Sequence, residues 1–199
     1  MPRLDQAELY SKAVEKHGNT PQGVFWKSQS SQYKRFKVIS KILENIEFDS
    51  IVDAGSGFGD LYLYLKERID FDHKLYMGID NNPNMVEISA MQTKQPIFCK
   101  DVLYDMDMPT ADFYIASGSM NFLNRTETYF FISKMLLFSN KGIIFNILEK
   151  NEYEKTDKSD IYNKFTMDEI LYLLKPFNLK IKVIRGYLRN DLTIFAQKQ

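Results

Sequence analysis

A single cysteine, Cys99, is all the thiol chemistry this sequence has. That excludes an intramolecular disulfide framework and any zinc site built on several thiolates. Its placement in a short apolar run predicts a core strand residue. The two histidines, His17 and His73, fall at the expected end of a helix and in an expected turn, so neither is read as a catalytic base. Charge of one sign is also missing: 26 basic side chains balance 26 acidic ones. With no basic excess or stripe, the composition argues against nucleic acid as a partner. Long hydrophobic runs are absent as well. Met135 to Phe138 and Gly142 to Phe145 are far below membrane-spanning length, and the first five residues lack the apolar core of a secretion signal. The expectation is a cytoplasmic protein with no membrane partner.

What is present is a rhythm of short apolar runs and helical stretches. At 199 residues the chain suits one domain, residues 1–199, with a helical lead-in over 1–49 and an α/β core over 50–199. Asp5 and Glu8 start a first helix that Gly18 stops. A second helix is expected from about Ser30 to Ile46, with Phe36, Ile39, Leu43 and Ile46 on one face. Strands are expected at Ser50–Ala54, Leu75–Asp80, Pro96–Cys99, Asp112–Ala116 and Ile143–Leu148. Between them come helices from Asp60 to Arg68, from Pro83 onward, and from an Asn124/Glu127 cap to Phe138. Asn140-Lys-Gly142 reads as a turn. Met85 and Met91 read as helix packing. Thr166 with Glu169 caps one more helix, ended by Pro176, and Leu179–Ile184 and Leu192–Ala196 read as an antiparallel pair. Alternation of this kind predicts a doubly wound, seven-stranded, mostly parallel sheet with a C-terminal antiparallel strand and helices on both faces.

In such a sheet a ligand sits at the carboxyl ends of the strands. The turn after the first strand, Asp53-Ala54-Gly55-Ser56-Gly57-Phe58-Gly59, has three glycines at alternating positions, more than a plain turn needs. A dinucleotide loop would place its third glycine one residue later and would face a diphosphate with the helix N-terminus. Here acidic Asp60 stands at that helix start, which favours a cationic ligand. Asp80, closing the second strand, can accept two hydrogen bonds from ribose hydroxyls. Asp101 and Val102 follow the third strand, where an acid and an apolar wall can meet an adenine ring.

Asp53-Ala-Gly-Ser-Gly-Phe-Gly59, Gly78-Ile-Asp80 and Asp101-Val102 resemble the first three cofactor motifs of class I (Rossmann-like) S-adenosylmethionine-dependent methyltransferases. Trp26 to Phe36 is similar to the lead-in of a group of small bacterial methyltransferases. The resemblance covers Ser50 to the C-terminus and implies the cofactor S-adenosyl-L-methionine. It implies that Asp53, Ala54, Gly55, Gly57 and Gly59 cradle the methionine portion, that Asp80 and Asn81 hold the ribose, and that Asp101 and Val102 flank adenine. Ser117 lines the methionine and substrate side, and Gln32 and Arg35 reach towards the cofactor carboxylate, unless they belong to a solvated helix face. Enzymes that methylate amino groups of nucleic acids or glutamine carry an Asn/Asp-Pro-Pro-aromatic motif after the fourth strand. Ser117-Gly-Ser-Met-Asn121-Phe departs from it.

The expected activity is methyl transfer to a small-molecule acceptor by in-line displacement, a reaction that rests on positioning. Trp26, Asn121 and Tyr162 are the candidates for the acceptor side. No residue stands out as catalytic, and no metal site is expected. The charged stretch Glu149 to Lys164 and the lead-in are candidate covers for the pocket, the first as a lid. Two other readings remain open from the residues: a module that binds the cofactor without transferring methyl groups, and an NAD-type oxidoreductase.

Overall fold

The computed structural model describes residues 29–150 and 162–199. The predicted first helix, His17, Trp26 and most of the 149–164 stretch lie outside the described residues. Twelve elements follow in order. Helix α1 (Gln29–Leu43) leads into β1 (Ser50–Ala54), α2 (Asp60–Leu65) and β2 (Leu75–Asp80). Next come α3 (Pro83–Thr93), β3 (Ile97–Cys99), β4 (Ala111–Ala116) and α4 (Arg125–Phe138). The chain closes with β5 (Ser139–Leu148), α5 (Met167–Leu174), β6 (Leu179–Ile184) and β7 (Asp191–Lys198).

The strands form one seven-stranded sheet in the order β3-β2-β1-β4-β5-β7-β6. Strands β1 to β5 pair in parallel, and β7 lies antiparallel between β5 and β6. Strand order reverses between β1 and β4, the switch point at which open α/β sheets bind ligands. Successive strand residues serve opposite faces. On one face Ile51, Tyr76, Phe113, Ile115 and Ile144 pack with Phe36, Ile39 and Leu43 of α1 and Leu61 and Leu65 of α2. On the other, Val52, Met77, Tyr114, Ile143 and Phe145 pack with Phe131, Ile132 and Met135 of α4 and Ile170 and Leu174 of α5.

Local signals placed most helix ends. Asn124 with Glu127 and Thr166 with Glu169 form complete capping boxes, and Asn82 caps α3 ahead of Pro83. Three readings need correction. Asn140-Lys-Gly142 is not a turn but part of β5, whose register against β4 shifts between Ala111 and Phe113. Gly142 sits there at φ 154° because a side chain would strike the Ala196 carbonyl, so the glycine marks an irregular strand rather than its start. Cys99 is exposed, not in the core, because β3 is the edge strand. Met85 packs as expected at 2 % exposure, whereas Met91 is 56 % exposed.

Candidate functional site

The carboxyl ends of β1, β2 and β4 open onto a cleft of about 1080 Å³, measured to its open mouth. Of the residues singled out from the sequence, Gln32, Arg35, Asp53, Gly55, Gly57 and Asp80 line it. So do Asn81, Asp101, Val102, Ser117, Asn121 and Tyr162. Ala54 and Gly59 are not in its wall. Ala54 offers its carbonyl to the Ser119 hydroxyl at 2.8 Å, and Gly59 starts α2 from behind at φ 85°.

The glycine turn owes two of its glycines to the protein's own packing. A Cβ on Gly55 would come within 2.4 Å of Ser119 Cβ, and one on Gly59 within 2.5 Å of Thr93 Cγ2. Gly57, at φ 53°, donates its N–H to Asp80 Oδ2 at 2.9 Å. Asp80 Oδ1 accepts from the Asn82 N–H at 2.9 Å. This carboxylate therefore ties the turn after β1 to the turn after β2, a role beyond the ribose contact its position suggested. The Asn81 N–H is a third backbone donor to it, which leaves the carboxylate capacity for a further donor.

Four carboxylates line the cleft, and among the described residues their partners are neutral. Asp53 accepts from the Tyr76 hydroxyl at 2.8 Å. Gln32 Nε2 donates to Asp60 at 2.8 Å. Asp80 has its backbone donors Gly57, Asn81 and Asn82, and Asp101 accepts from the Leu103 N–H at 2.8 Å and from Asn81 Nδ2 at 3.2 Å. The cations of the wall are matched elsewhere: Arg35 pairs with Asp191 and Lys100 with Asp107. Burial lifts the Asp53 carboxyl to about 7, with Asp80 and Asp60 adding repulsion and the Tyr76 bond opposing both. Burial also raises the Asp80 carboxyl, opposed by its backbone donors. Among the described residues no cation offsets the four carboxylates, of which Asp53, raised to about 7, carries only part of its charge at neutral pH, in surroundings where charge is weakly screened.

A buried polar cluster, invisible in the sequence, connects two parts of the wall. Ser117 Oγ donates to Asn146 Oδ1 at 3.0 Å, and Asn146 Nδ2 donates to Thr193 Oγ1 at 2.6 Å. The Tyr187 hydroxyl lies 2.8 Å from Thr193 Oγ1 and donates to Asp191 Oδ1 at 2.5 Å. Arg35 closes the chain, its Nε donating to Asp191 Oδ2 at 2.6 Å. Arg35 and Gln32 are 8 % and 4 % exposed, so they are wall residues and not part of a solvated helix face. Asn146, Thr193, Tyr187 and Asp191 carry no local motif. For Asn146 and Thr193 the one signal is a polar residue inside an otherwise apolar strand.

On the far side, the loop after β4 is tied to the chain that returns before α5. Asn163 N–H donates to the Asn121 carbonyl at 2.7 Å, and Asn163 Nδ2 to the Phe122 carbonyl at 3.3 Å. The Phe122 and Tyr162 rings lie 5.0 Å apart. Glu149, where the expected lid begins, forms a parallel bridge with Phe165, the residue after its end. Two buried side-chain atoms of the wall, Ser56 Oγ and Asn121 Oδ1, have no hydrogen-bond partner. Among the described residues no helix is long and apolar enough to cross a membrane, and no group of three or more His, Cys, Asp or Glu could hold a metal ion.

No family model and no curated protein matches the chain. Solved structures do. A magnesium protoporphyrin IX methyltransferase from Synechocystis, with bound S-adenosylmethionine, is 13% identical over 100% of both chains at a TM-score of 0.70. The N-methyltransferase NodS from Bradyrhizobium japonicum, in complex with S-adenosylhomocysteine, is 12% identical over 96% of this chain and 97% of its own, at 0.73. The methyltransferase domain of a bacterial Hen1 is 14% identical over 85% of this chain and 99% of its own, at 0.68. Identities this low speak for architecture alone. With its 3-2-1-4-5-7-6 sheet and its cleft at the β1/β4 switch point, the chain has the fold of the class I S-adenosylmethionine-dependent methyltransferases.

Proposed function

We propose that this chain binds S-adenosylmethionine in the cleft and transfers its methyl group to a small-molecule acceptor. The observation that carries the reading is the set of four cleft carboxylates whose partners among the described residues are all neutral. S-adenosylmethionine has a sulfonium and an ammonium against one carboxylate, so it brings net positive charge to that set. A dinucleotide would bring a diphosphate and be repelled. Bound ligands of the structural neighbours point the same way.

In this reading Asp80 receives the ribose hydroxyls on its remaining lone pairs, with Asn81 beside it. Asp101 and Val102 flank adenine. Asp53 and the Gly55–Gly57 turn receive the methionine portion, with Gln32 and Arg35 over it from α1; Ala54 and Gly59 support that turn from outside the wall. Ser117, Asn121 and Tyr162 face the acceptor, joined by Trp26. The single domain 1–199, with cover from 1–49 and a lid in 149–164, completes the proposal. The cofactor supplies a methyl that is already electrophilic, so the chain's part is to hold an acceptor in line and to exclude water.

Calorimetry tests the cofactor. S-adenosylmethionine and S-adenosylhomocysteine are expected to bind in the micromolar range, about −8 kcal/mol, and NAD far more weakly. Tighter binding of NAD overturns the assignment. Release of S-adenosylhomocysteine during acceptor screening separates an enzyme from a binding module.

A further inference from the structure

The four carboxylates that line the cleft are not held alike. Asp80 has three backbone N–H donors, from Gly57, Asn81 and Asn82. Asp101 accepts from the Leu103 N–H and the Asn81 side chain, and Asp60 from the Gln32 amide. These three are partly open to solvent. Asp53 is buried, at 2 % exposure, and the donor to its carboxylate among the described residues is one phenol, Tyr76 at 2.8 Å. An ionised carboxylate in that position lacks both water and strong donors, so it is where a proton is held most easily.

The groups around Asp53 add repulsion rather than relief. From β2 come Tyr76 and Asp80, and from the start of α2 comes Asp60. Tyr62 packs against the Tyr76 ring, with centroids 4.7 Å apart. Helix α1 brings Gln32, bound to Asp60, and Arg35, bound to Asp191 of β7. After β3 stand Asp101 and Lys100, the lysine paired with Asp107, and after β4 the neutral hydroxyls of Ser117 and Ser119 line the cleft. Burial pushes the Tyr76 hydroxyl well above its ordinary value, so the phenol keeps its proton and the carboxyl is the group that titrates. Burial raises that carboxyl to about 7.

What enters the cleft decides whether the proton stays. S-adenosylmethionine and S-adenosylhomocysteine differ by one methyl group and by one unit of positive charge at sulfur. A nearby positive charge favours the ionised carboxylate, and where screening is weak it acts without contact. Resting on the cofactor reading, we infer that Asp53 sets the preference for S-adenosylmethionine over S-adenosylhomocysteine, releasing its proton to water when the sulfonium arrives and regaining one after the methyl group has left. The sign follows from linkage. The complex that holds fewer protons gains affinity relative to the other as pH rises. The preference is therefore small where Asp53 is protonated in both complexes and grows until it is ionised in both.

Calorimetry on the full chain with each ligand, from about pH 5.5 to about pH 7.0, tests this below the range in which the ligands' own α-ammonium groups titrate. The ratio of the two association constants is expected to rise by about 3-fold or more across that range. Titrations near pH 6 in two buffers of different ionisation enthalpy count protons, and S-adenosylmethionine should release more than S-adenosylhomocysteine. In Asp53→Asn the ratio should no longer change with pH. A flat ratio in the native chain, or a native slope retained in Asp53→Asn, overturns the inference while the cofactor reading stands. Should Asp53→Asn not fold, the native proton counts decide, and equal counts for the two ligands overturn it. Failure of both ligands to bind at all removes the cofactor reading as well.

Discussion

Asp191→Asn should be among the most damaging single charge changes in this protein, although Asp191 is remote in sequence from every cofactor motif. Asp191 is 3 % exposed and Arg35 8 %. The two meet across 156 positions of sequence, joining α1 to the start of β7. Removing the negative charge takes the Asp191 counter-ion away from a guanidinium that is only 8 % exposed. Breaking one side of a buried pair costs about 3–5 kcal/mol. The asparagine still offers an oxygen to Arg35 and Tyr187, so the lower end, about 3 kcal/mol, is expected. For a chain of this size that is a fall in Tm of about 6–12 °C.

Replacing both partners removes the stranded charge. The double variant Arg35→Met/Asp191→Asn should therefore be more stable than the sum of the single changes implies, by about 1–2 kcal/mol. Urea unfolding of the native chain, both single variants and the double variant supplies the cycle. Single costs below about 1 kcal/mol that simply add would refute the reasoning, because they would mean that water reaches the pair and screens it.

Two further outcomes follow from the cleft and its glycines. Asp53 and Asp80 are both raised on folding, Asp53 to about 7, so the folded state binds their protons more tightly than the unfolded state. Their contribution to stability is present at low pH and falls as pH rises from about 4 to 7. Asp53→Asn should remove much of that decline, and an unchanged slope in urea midpoint against pH would count against it. Gly59 and Gly186 share φ 85°, but an added Cβ meets Thr93 and Ser89 at the first and nothing within 4 Å at the second. Gly186→Ala should cost only the left-handed backbone, about 1–2 kcal/mol. Gly59→Ala should cost about 1–3 kcal/mol more from the clash, and equal losses of Tm would contradict the packing.

The fold was legible where its signals are local. Capping at Asn82, Asn124 and Thr166 and the alternation of faces in β1, β4 and β5 are written in neighbouring residues. The gathering of Asp53, Asp80 and Asp101 at one cleft was legible too, because a doubly wound sheet brings the loops after β1, β2 and β3 to one edge whatever the rest of the chain does. Readings failed where a partner distant in sequence decides. Gly142 looks like a turn until β7 lies against it, and Cys99 looks like core until β3 proves to be the edge. For Arg35 the choice between cleft wall and solvated helix face stayed open until Asp191 arrived from the other end of the chain.

The same limit hid the most informative property of the site. No sequence window distinguishes an aspartate held by a cation from one held by neutral donors. Asp112 ends up 2.9 Å from Lys141 Nζ, Asp107 2.6 Å from Lys100 Nζ, and Asp191 beside Arg35. Asp53, Asp60, Asp80 and Asp101 meet a tyrosine, a glutamine, backbone N–H groups and an asparagine instead. Neutral donors fix a carboxylate in place without cancelling its charge, so the cleft is organised while no cation among the described residues offsets it. On the proposed reading that distinction also serves turnover. A sulfonium adds its positive charge to the attraction of the four carboxylates, and methyl transfer converts it to a neutral thioether. The product then keeps the hydrogen bonds to Asp80 and Asp101 but loses part of the charge that drew the cofactor in. The carboxylates that favour S-adenosylmethionine therefore favour its replacement after each transfer, without any change in the shape of the cleft.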